Sequence, residues 1–147
     1  MKTEITFGLS LIAGLFFSFT ANAQKTTIIV AELPAKAQTF LKKHFANETP
    51  TYVVKDKETF STDYKVQFAN RIEVEFDGNG DLEEVDGNHN AIPTAIIPVK
   101  IASYVKANFK DAQVTKLDKG RWGYEIDLKN GLELEFDSNG NFLRIDD

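Results

Sequence analysis

Cysteine is absent from the 147-residue sequence. This absence excludes disulfide bonds, thiolate metal sites and a cysteine nucleophile. The sequence also lacks a basic excess, because 17 Lys and Arg stand against 22 Asp and Glu, for a net charge of -5. A nucleic-acid binder needs clustered Lys and Arg to contact phosphates, so we expect no nucleic-acid partner. The length suffices for one or two small domains and excludes a large multidomain enzyme.

Residues 1–23 have the order of a secretory signal peptide. Lys2 precedes an apolar stretch over 7–17, and small residues follow at Ala21 and Ala23. The pattern predicts cleavage between Ala23 and Gln24, a periplasmic or secreted protein, and no membrane span after cleavage. The alternative is an N-terminal membrane anchor, but residues 5–21 are at the short limit for a spanning helix and contain Gly, Ser and Thr.

The remaining sequence contains two copies of one repeat. The matching segments are 33–37 with 97–101 at an offset of 64, and 64–68 with 124–128 and 72–77 with 132–137 at an offset of 60. So many shared positions indicate an internal duplication. We therefore predict a first repeat over 28–87, a linker over 88–96 and a second repeat over 97–147.

Each repeat begins with a helix pattern and continues with strand patterns. Apolar residues recur every three or four positions after Pro34 and again after Pro98, at places where a first helical turn tolerates proline. Alternation of apolar residues with glutamates over 72–76 and 132–136 predicts strands with one buried face. The fold class is thus α+β, with two tandem repeats that each pack a helix on about four antiparallel strands. Residues 24–31 either add an edge strand at 28–30 or form a loop.

Two kinds of turn separate the predicted strands. Asn70 and Asn130 occupy positions where a tight hairpin favours asparagine. The Asp-x-Asn-Gly segments 77–80 and 137–140 cluster oxygen ligands that suit calcium, but an EF-hand needs Gly at the sixth and an acid at the twelfth position. Leu82 and Asn88 occupy those positions in the first repeat. We therefore interpret both segments as tight turns and assign no metal-binding residue, with a weak calcium site of another type as the alternative.

These motifs resemble those of the PepSY-like family, which is also described as beta-lactamase-inhibitor-like. The resemblance rests on the Leu-Pro and Ile-Pro helix starts, the two Tyr-containing strands, the Glu-rich strands ending in Phe-Asp and the Gly-containing turns, and it covers about residues 28–147. It implies two helix-on-sheet repeats in a broader antiparallel sheet, a non-enzymatic role and a periplasmic or cell-surface location. Related PepSY domains are associated with inhibition or regulation of secreted peptidases.

The predicted polar face of the sheet is the candidate binding surface. Its expected members are Glu73 and Glu75 in the first repeat and Glu125, Asp127, Glu133 and Glu135 in the second. Arg121, Trp122 and Tyr124 adjoin it, and exposed residues of these types are typical interface anchors. Two alternatives stay open: the acidic face is only a solvated surface, and Trp122 caps the core.

Catalysis has little support in the sequence. His44 and His89 are the only candidate imidazole bases, and no serine lies in a nucleophile-elbow context. We predict no enzyme activity and no cofactor. The sequence instead favours an exported binding module, such as a peptidase-inhibitor-like or regulatory protein, with an exported protein or peptide as partner. The alternative is a periplasmic protein that binds a small ligand or glycan or senses the envelope. The oligomeric state stays open.

Overall fold

The computed structural model describes residues 24–146, so the predicted signal peptide and Asp147 lie outside the described residues. The helices are α1 (Ala35–His44) and α2 (Val99–Asn108). The strands are β1 (Gln24–Thr27), β2 (Pro50–Lys57), β3 (Thr62–Phe68), β4 (Glu73–Phe76), β5 (Leu82–Asp86), β6 (Val114–Lys119), β7 (Gly123–Leu128), β8 (Glu133–Asp137) and β9 (Phe142–Asp146). The predicted α+β class is confirmed.

The nine strands form one antiparallel sheet whose order is the order of the sequence. Four strands follow each helix, but they do not form two separate sheets. β5 of the first copy pairs with β6 of the second through Glu84–Asp118, Val85–Leu117 and Asp86–Lys116. The expected four-stranded units are therefore halves of a continuous sheet, since pairing at this boundary satisfies the backbone groups of two strands that would otherwise be edges.

One face of the sheet packs against both helices. Its central row crosses β3 to β8 and consists of Val66, Val74, Val85, Leu117, Ile126 and Leu134. These side chains are at most 1% exposed and share a core with Ala37 and Leu41 of α1 and with Ile101 and Val105 of α2. The two-residue period of the strands thus places the apolar row of β3 to β8 under the helices and the intervening polar residues of these strands on the opposite face.

The two copies repeat their packing in detail. The ring of Phe40 in α1 meets Phe76 edge-on at 5.6 Å, and the ring of Tyr104 in α2 meets Phe136 edge-on at 5.5 Å. Each helix thus contacts the third strand of its own copy through the equivalent pair of rings, as expected from the duplication in the sequence.

The segment before α1 contains an edge strand, but at 24–27 and not at the predicted 28–30. Gln24–Thr27 is an edge strand paired with β2, whereas Val30–Glu32 forms a single 3-10 turn. Ile28 and Val30 pack against the core, and Ile29 between them is exposed. β1 ends at Thr27, and the residues that follow it connect the edge of the sheet to the start of α1.

The turns have the predicted geometry. The Asn70 side chain accepts the backbone N–H of Ile72 at 3.1 Å, and Asn130 accepts that of Leu132 at 3.2 Å. In the Asp-x-Asn-Gly turn, Asp77 Oδ1 accepts the N–H groups of Asn79 and Asp81, both at 2.9 Å. This oxygen is therefore engaged in holding the turn, as the tight-turn interpretation requires.

Candidate functional site

The sheet face opposite the helices, which we call the open face, carries two polar rows across β3 to β9. The first row consists of Lys65, Glu75, Glu84, Asp118, Glu125, Glu135 and Arg144. The second row consists of Gln67, Glu73, Asp86, Lys116, Asp127, Glu133 and Asp146. The structure brings all six predicted carboxylates onto this face, and each row holds five carboxylates in total.

In the first copy a lysine pairs with both predicted glutamates of the open face. Lys65 Nζ lies 2.6 Å from a Glu75 oxygen and 3.2 Å from a Glu73 oxygen. The side-chain amide of Gln67 donates to the other Glu73 oxygen at 3.0 Å. The hydrogen bond to Glu75, joined by that to Glu73, raises the pKa of Lys65 above its usual value. Both predicted glutamates of this copy are thus already paired within the protein.

In the second copy the same positions are acidic. Glu125 and Asp127 stand where the first copy has Lys65 and Gln67, at the offset of 60. Oxygens of Glu125, Asp127 and Glu133 lie within 4.8 Å of one another, and all three residues are half-buried. We call these three residues the acidic triad.

The acidic triad carries repulsion that the nearby Lys116 relieves only in part. Burial raises the pKa of Glu125, and the charge of Glu133 raises it further. Burial also raises the pKa of Asp127, whose Oδ1 atom is buried and accepts no hydrogen bond from the described part of the chain. The charge of Lys116 lowers both pKa values but does not offset these effects, and a bound cation would relieve the remaining repulsion.

Two cationic side chains on the open face of the second copy form ion pairs with carboxylates outside the acidic triad. Lys116 Nζ is 3.1 Å from Glu84, and an Arg144 nitrogen is 2.6 Å from Glu135. Burial nevertheless raises the pKa of Glu84, which outweighs the opposing effect of Lys116. The ion pairs among residues 24–146 leave the acidic triad without a cation.

Trp122 lies in the hairpin loop between β6 and β7 and is 81% exposed. The Arg121 guanidinium lies 5.2 Å from the centre of its ring, in cation–π contact. The alternative in which Trp122 caps the core is therefore wrong. An indole held in water by a three-residue loop is available to a partner, as expected of an interface anchor.

Tyr124 does not lie beside the carboxylates. It pairs with Phe136 across the β7–β8 ladder, is half-buried and packs against the core under the helices. Its neighbour Glu125 points to the open face, and successive strand residues point to opposite faces, so Tyr124 must point the other way. The predicted placement of Tyr124 on the binding face is wrong.

A second exposed aromatic residue was missed by the sequence reasoning. Phe60 lies in the hairpin loop between β2 and β3 and is fully exposed. In a sheet of consecutive antiparallel strands, this loop and the one with Trp122 lie at the same end, four strands or roughly 19 Å apart. The signal in the sequence was the equivalent position of the two hairpins in the two copies.

The two histidines have no arrangement that suggests catalysis. His44 ends α1 with its ring 4.7 Å from Phe40, and burial together with the charge of Lys43 lowers its pKa. His89 is exposed in the linker at a φ of 69°. The structure thus places them on different segments, one packed against an aromatic ring and the other in water.

Comparison with known proteins identifies relatives of this chain. The family model described as "Putative beta-lactamase-inhibitor-like, PepSY-like" matches twice, over residues 20–82 and 62–144. A search of curated proteins finds no match. The part of the chain that the structure describes contains no helix that is long and apolar enough to cross a membrane.

Solved structures support the same assignment. A "putative calcium-regulated periplasmic protein" from Bacteroides thetaiotaomicron is 38% identical, with a TM-score of 0.81 over 84% of this chain and 97% of the other. A "putative periplasmic protein" from Bacteroides vulgatus is 35% identical, with a TM-score of 0.80 over 84% and 98%. Another from the same species, of unknown function, is 36% identical, with a TM-score of 0.79 over 84% and 100%. The duplicated helix-and-strand unit, the family matches and these structures together show that the chain belongs to the PepSY-like family.

Proposed function

We propose that this protein is an exported, non-enzymatic binding module whose open face captures a basic segment of another exported protein or peptide. The observation that carries the proposal is the acidic triad of Glu125, Asp127 and Glu133, which is half-buried, repulsive and without a cation among the described residues. A Lys or Arg side chain placed there would remove the repulsion and supply the partner that the first copy has in Lys65.

Location and role follow from the same features. The signal pattern with cleavage after Ala23 and the periplasmic descriptions of the relatives support export to the periplasm. The family description supports an inhibitory or regulatory role. In this role the rigid sheet supplies complementary charge, and Trp122 with its stacked Arg121 supplies an apolar anchor at the end of the sheet.

The test uses hexalysine as the basic probe. Because the protein has one tryptophan, fluorescence of Trp122 reports binding near the open face. The test variant is Glu125→Lys/Asp127→Gln, which copies the residues of the first repeat onto the second. The matched control is Glu58→Lys/Asp111→Asn, which changes the net charge equally at two exposed positions off the open face. Asn at 111 tolerates the positive φ of 65°.

We expect the test variant to bind hexalysine at least about tenfold more weakly at low salt, because reversed charges meet like charges at the site. The control should bind within about threefold of the wild type, since only the long-range field changes. Equal weakening of both variants would show that hexalysine responds to net charge and not to this site.

Calcium binding by the acidic triad is a second candidate. Three carboxylates and the buried, unpaired Oδ1 of Asp127 form an oxygen-rich cluster of the kind that Ca²⁺ prefers, and one relative is described as calcium-regulated. Since Ca²⁺ takes six to eight oxygens, waters or neighbouring carboxylates such as Glu135 would complete the shell. Calorimetric titration with CaCl₂ should then show a saturable site that Asp127→Asn weakens at least about tenfold. Equal heats for CaCl₂ and MgCl₂ that survive Asp127→Asn would rule the site out.

A further inference from the structure

A cleft of about 600 Å³ lies on the helix side of the sheet, remote from the open face. It is bounded by the linker, by α2 and by the start of β6. Its apolar walls come from Ile92, Ile97, Val105, Phe109 and Val114. Lys106 and Asp111 also line it, so it contains one cation and one anion and favours neither sign of charge.

The first copy has a glutamine, Gln38, at the equivalent place in its helix. There, the side-chain amide of Gln38 donates two hydrogen bonds, to the carbonyl of Leu33 at 2.7 Å and to that of Ala31 at 3.1 Å. Both carbonyls belong to the turn that precedes α1. A primary amide is well suited to this task because it carries two N–H donors on one nitrogen.

The residue equivalent to Gln38 in the second copy is Ala102. The equivalence follows from the offset of 64 and from the backbone, since the N–H of Gln38 bonds to Pro34 and that of Ala102 bonds to Pro98. A methyl side chain can neither fill the space nor donate a hydrogen bond.

The carbonyls that lose this donor lie at the cleft. The counterparts of Ala31 and Leu33 are Ala95 and Ile97, and both of these residues line the cleft together with Ala102. Backbone carbonyls next to an apolar cavity need a donor from water or from a ligand, because leaving them unsatisfied is costly. The replacement of Gln by Ala thus exposes a pair of acceptors at the place where apolar walls offer binding area.

We propose that this cleft is a binding site for a small, uncharged apolar molecule with a primary amide, which takes the place that Gln38 has in the first copy. The apolar part would contact Val105 and Phe109. The amide nitrogen would donate to the carbonyls of Ala95 and Ile97. This site lies on the other face of the sheet from the acidic triad, so the test of one proposal does not decide the other.

The test is a titration with 3-phenylpropanamide followed by amide NMR shifts of the ¹⁵N-labelled protein. The matched probe is N,N-dimethyl-3-phenylpropanamide, which has the same apolar body and no N–H donor. We expect saturable shifts at Ile97, Ala102 and Phe109, and binding of the dimethyl probe that is roughly tenfold weaker for the loss of two hydrogen bonds.

Two variants separate the site from adventitious binding. Ala102→Gln should occupy the two carbonyls with the amide that the first copy has and abolish the shifts, while Gln38→Ala should create a second set of shifts near α1. Ala102→Met fills similar space without a donor, so it should also block the probe but have a lower melting temperature than Ala102→Gln. Equal binding of the two probes, or unchanged binding to Ala102→Gln, would overturn the proposal.

Discussion

Replacing Glu125 by Lys and Asp127 by Gln should stabilise the protein, although the change removes two acidic residues from its most distinctive surface. The first copy is the template, because its Lys65 pairs with Glu75 at 2.6 Å and with Glu73 at 3.2 Å. In the variant a lysine at position 125 would face Glu133 and Glu135 in the same register.

The magnitude follows from the first copy with allowance for solvent. The Lys65 side chain is 43% exposed, so each new ion pair contributes only a few tenths of a kcal/mol to about 1 kcal/mol. Loss of the repulsion between Glu125 and Glu133 adds a similar amount. We expect the free energy of unfolding to rise by about 1–2 kcal/mol, which corresponds to a melting temperature higher by roughly 3–8 °C in a chain of this size.

The assay is urea unfolding monitored by circular dichroism at 20 mM and at 1 M NaCl. The gain should shrink at high salt, because added ions screen charges at the surface. A variant no more stable than the wild type would refute the reasoning that the acidic triad stores repulsion. A gain of the same size at both salt concentrations would show that its cause is not electrostatic.

Three further changes probe the core, the turns and the titration of the open face. Phe136→Ala should lower the free energy of unfolding by about 3–5 kcal/mol in urea titrations, because this ring is 1% exposed and packs edge-on against two aromatic rings. Gly80→Ala should lower the free energy of unfolding more than Gly131→Ala does. Both glycines have positive φ, but the new Cβ at Gly80 would lie 2.7 Å from a proline side chain, whereas nothing lies within 4 Å of a Cβ at Gly131. Burial raises the pKa of Glu125 and Asp127 in the folded state, so the folded protein binds more protons and their contribution to stability falls as pH rises above the ordinary pKa of a carboxyl group, about 4. Urea unfolding at pH 4, 5 and 7 should show this fall in the wild type and a smaller one in Glu125→Gln/Asp127→Asn; an equal fall would assign it to other groups.

Local periodicity predicted most of the secondary structure and much of the open face. The alternation around Glu73 and Glu133 places each glutamate opposite a buried row, and the structure has them there. The same rule places Tyr124 with Ile126 and not with Glu125. The error at Tyr124 was therefore avoidable, because the alternation of its strand already assigned it to the core face.

Other features depend on contacts between distant residues. Nothing local to residues 82–86 or 114–119 indicates that these strands pair with each other, so the local pattern did not predict the continuous sheet and only the family resemblance implied it. Phe60 is in a loop, where no period distinguishes an exposed ring from a buried one, so the equivalence of the two hairpins was its one signal. The cleft beside Ala102 results from a missing side chain, and its significance emerges only when the hydrogen bonds of Gln38 show what that side chain does.

The two copies share a fold, but at two places the first copy supplies a polar partner that the second copy lacks. On the open face, Lys65 pairs with Glu73 and Glu75 in the first copy, whereas the ion pairs of the described residues leave the acidic triad of the second copy without a cation. Beside the helix, the Gln38 amide bonds to two carbonyls in the first copy, whereas Ala102 lines the cleft of the second. In both places the first copy supplies a partner from within, and the second copy lacks it. Natural proteins often give up stability where function needs an unsatisfied site, so the substitutions that convert the second copy into the first should both stabilise the chain and block its binding. If those substitutions stabilised the chain and left binding of both probes intact, the asymmetry would be neutral divergence after duplication.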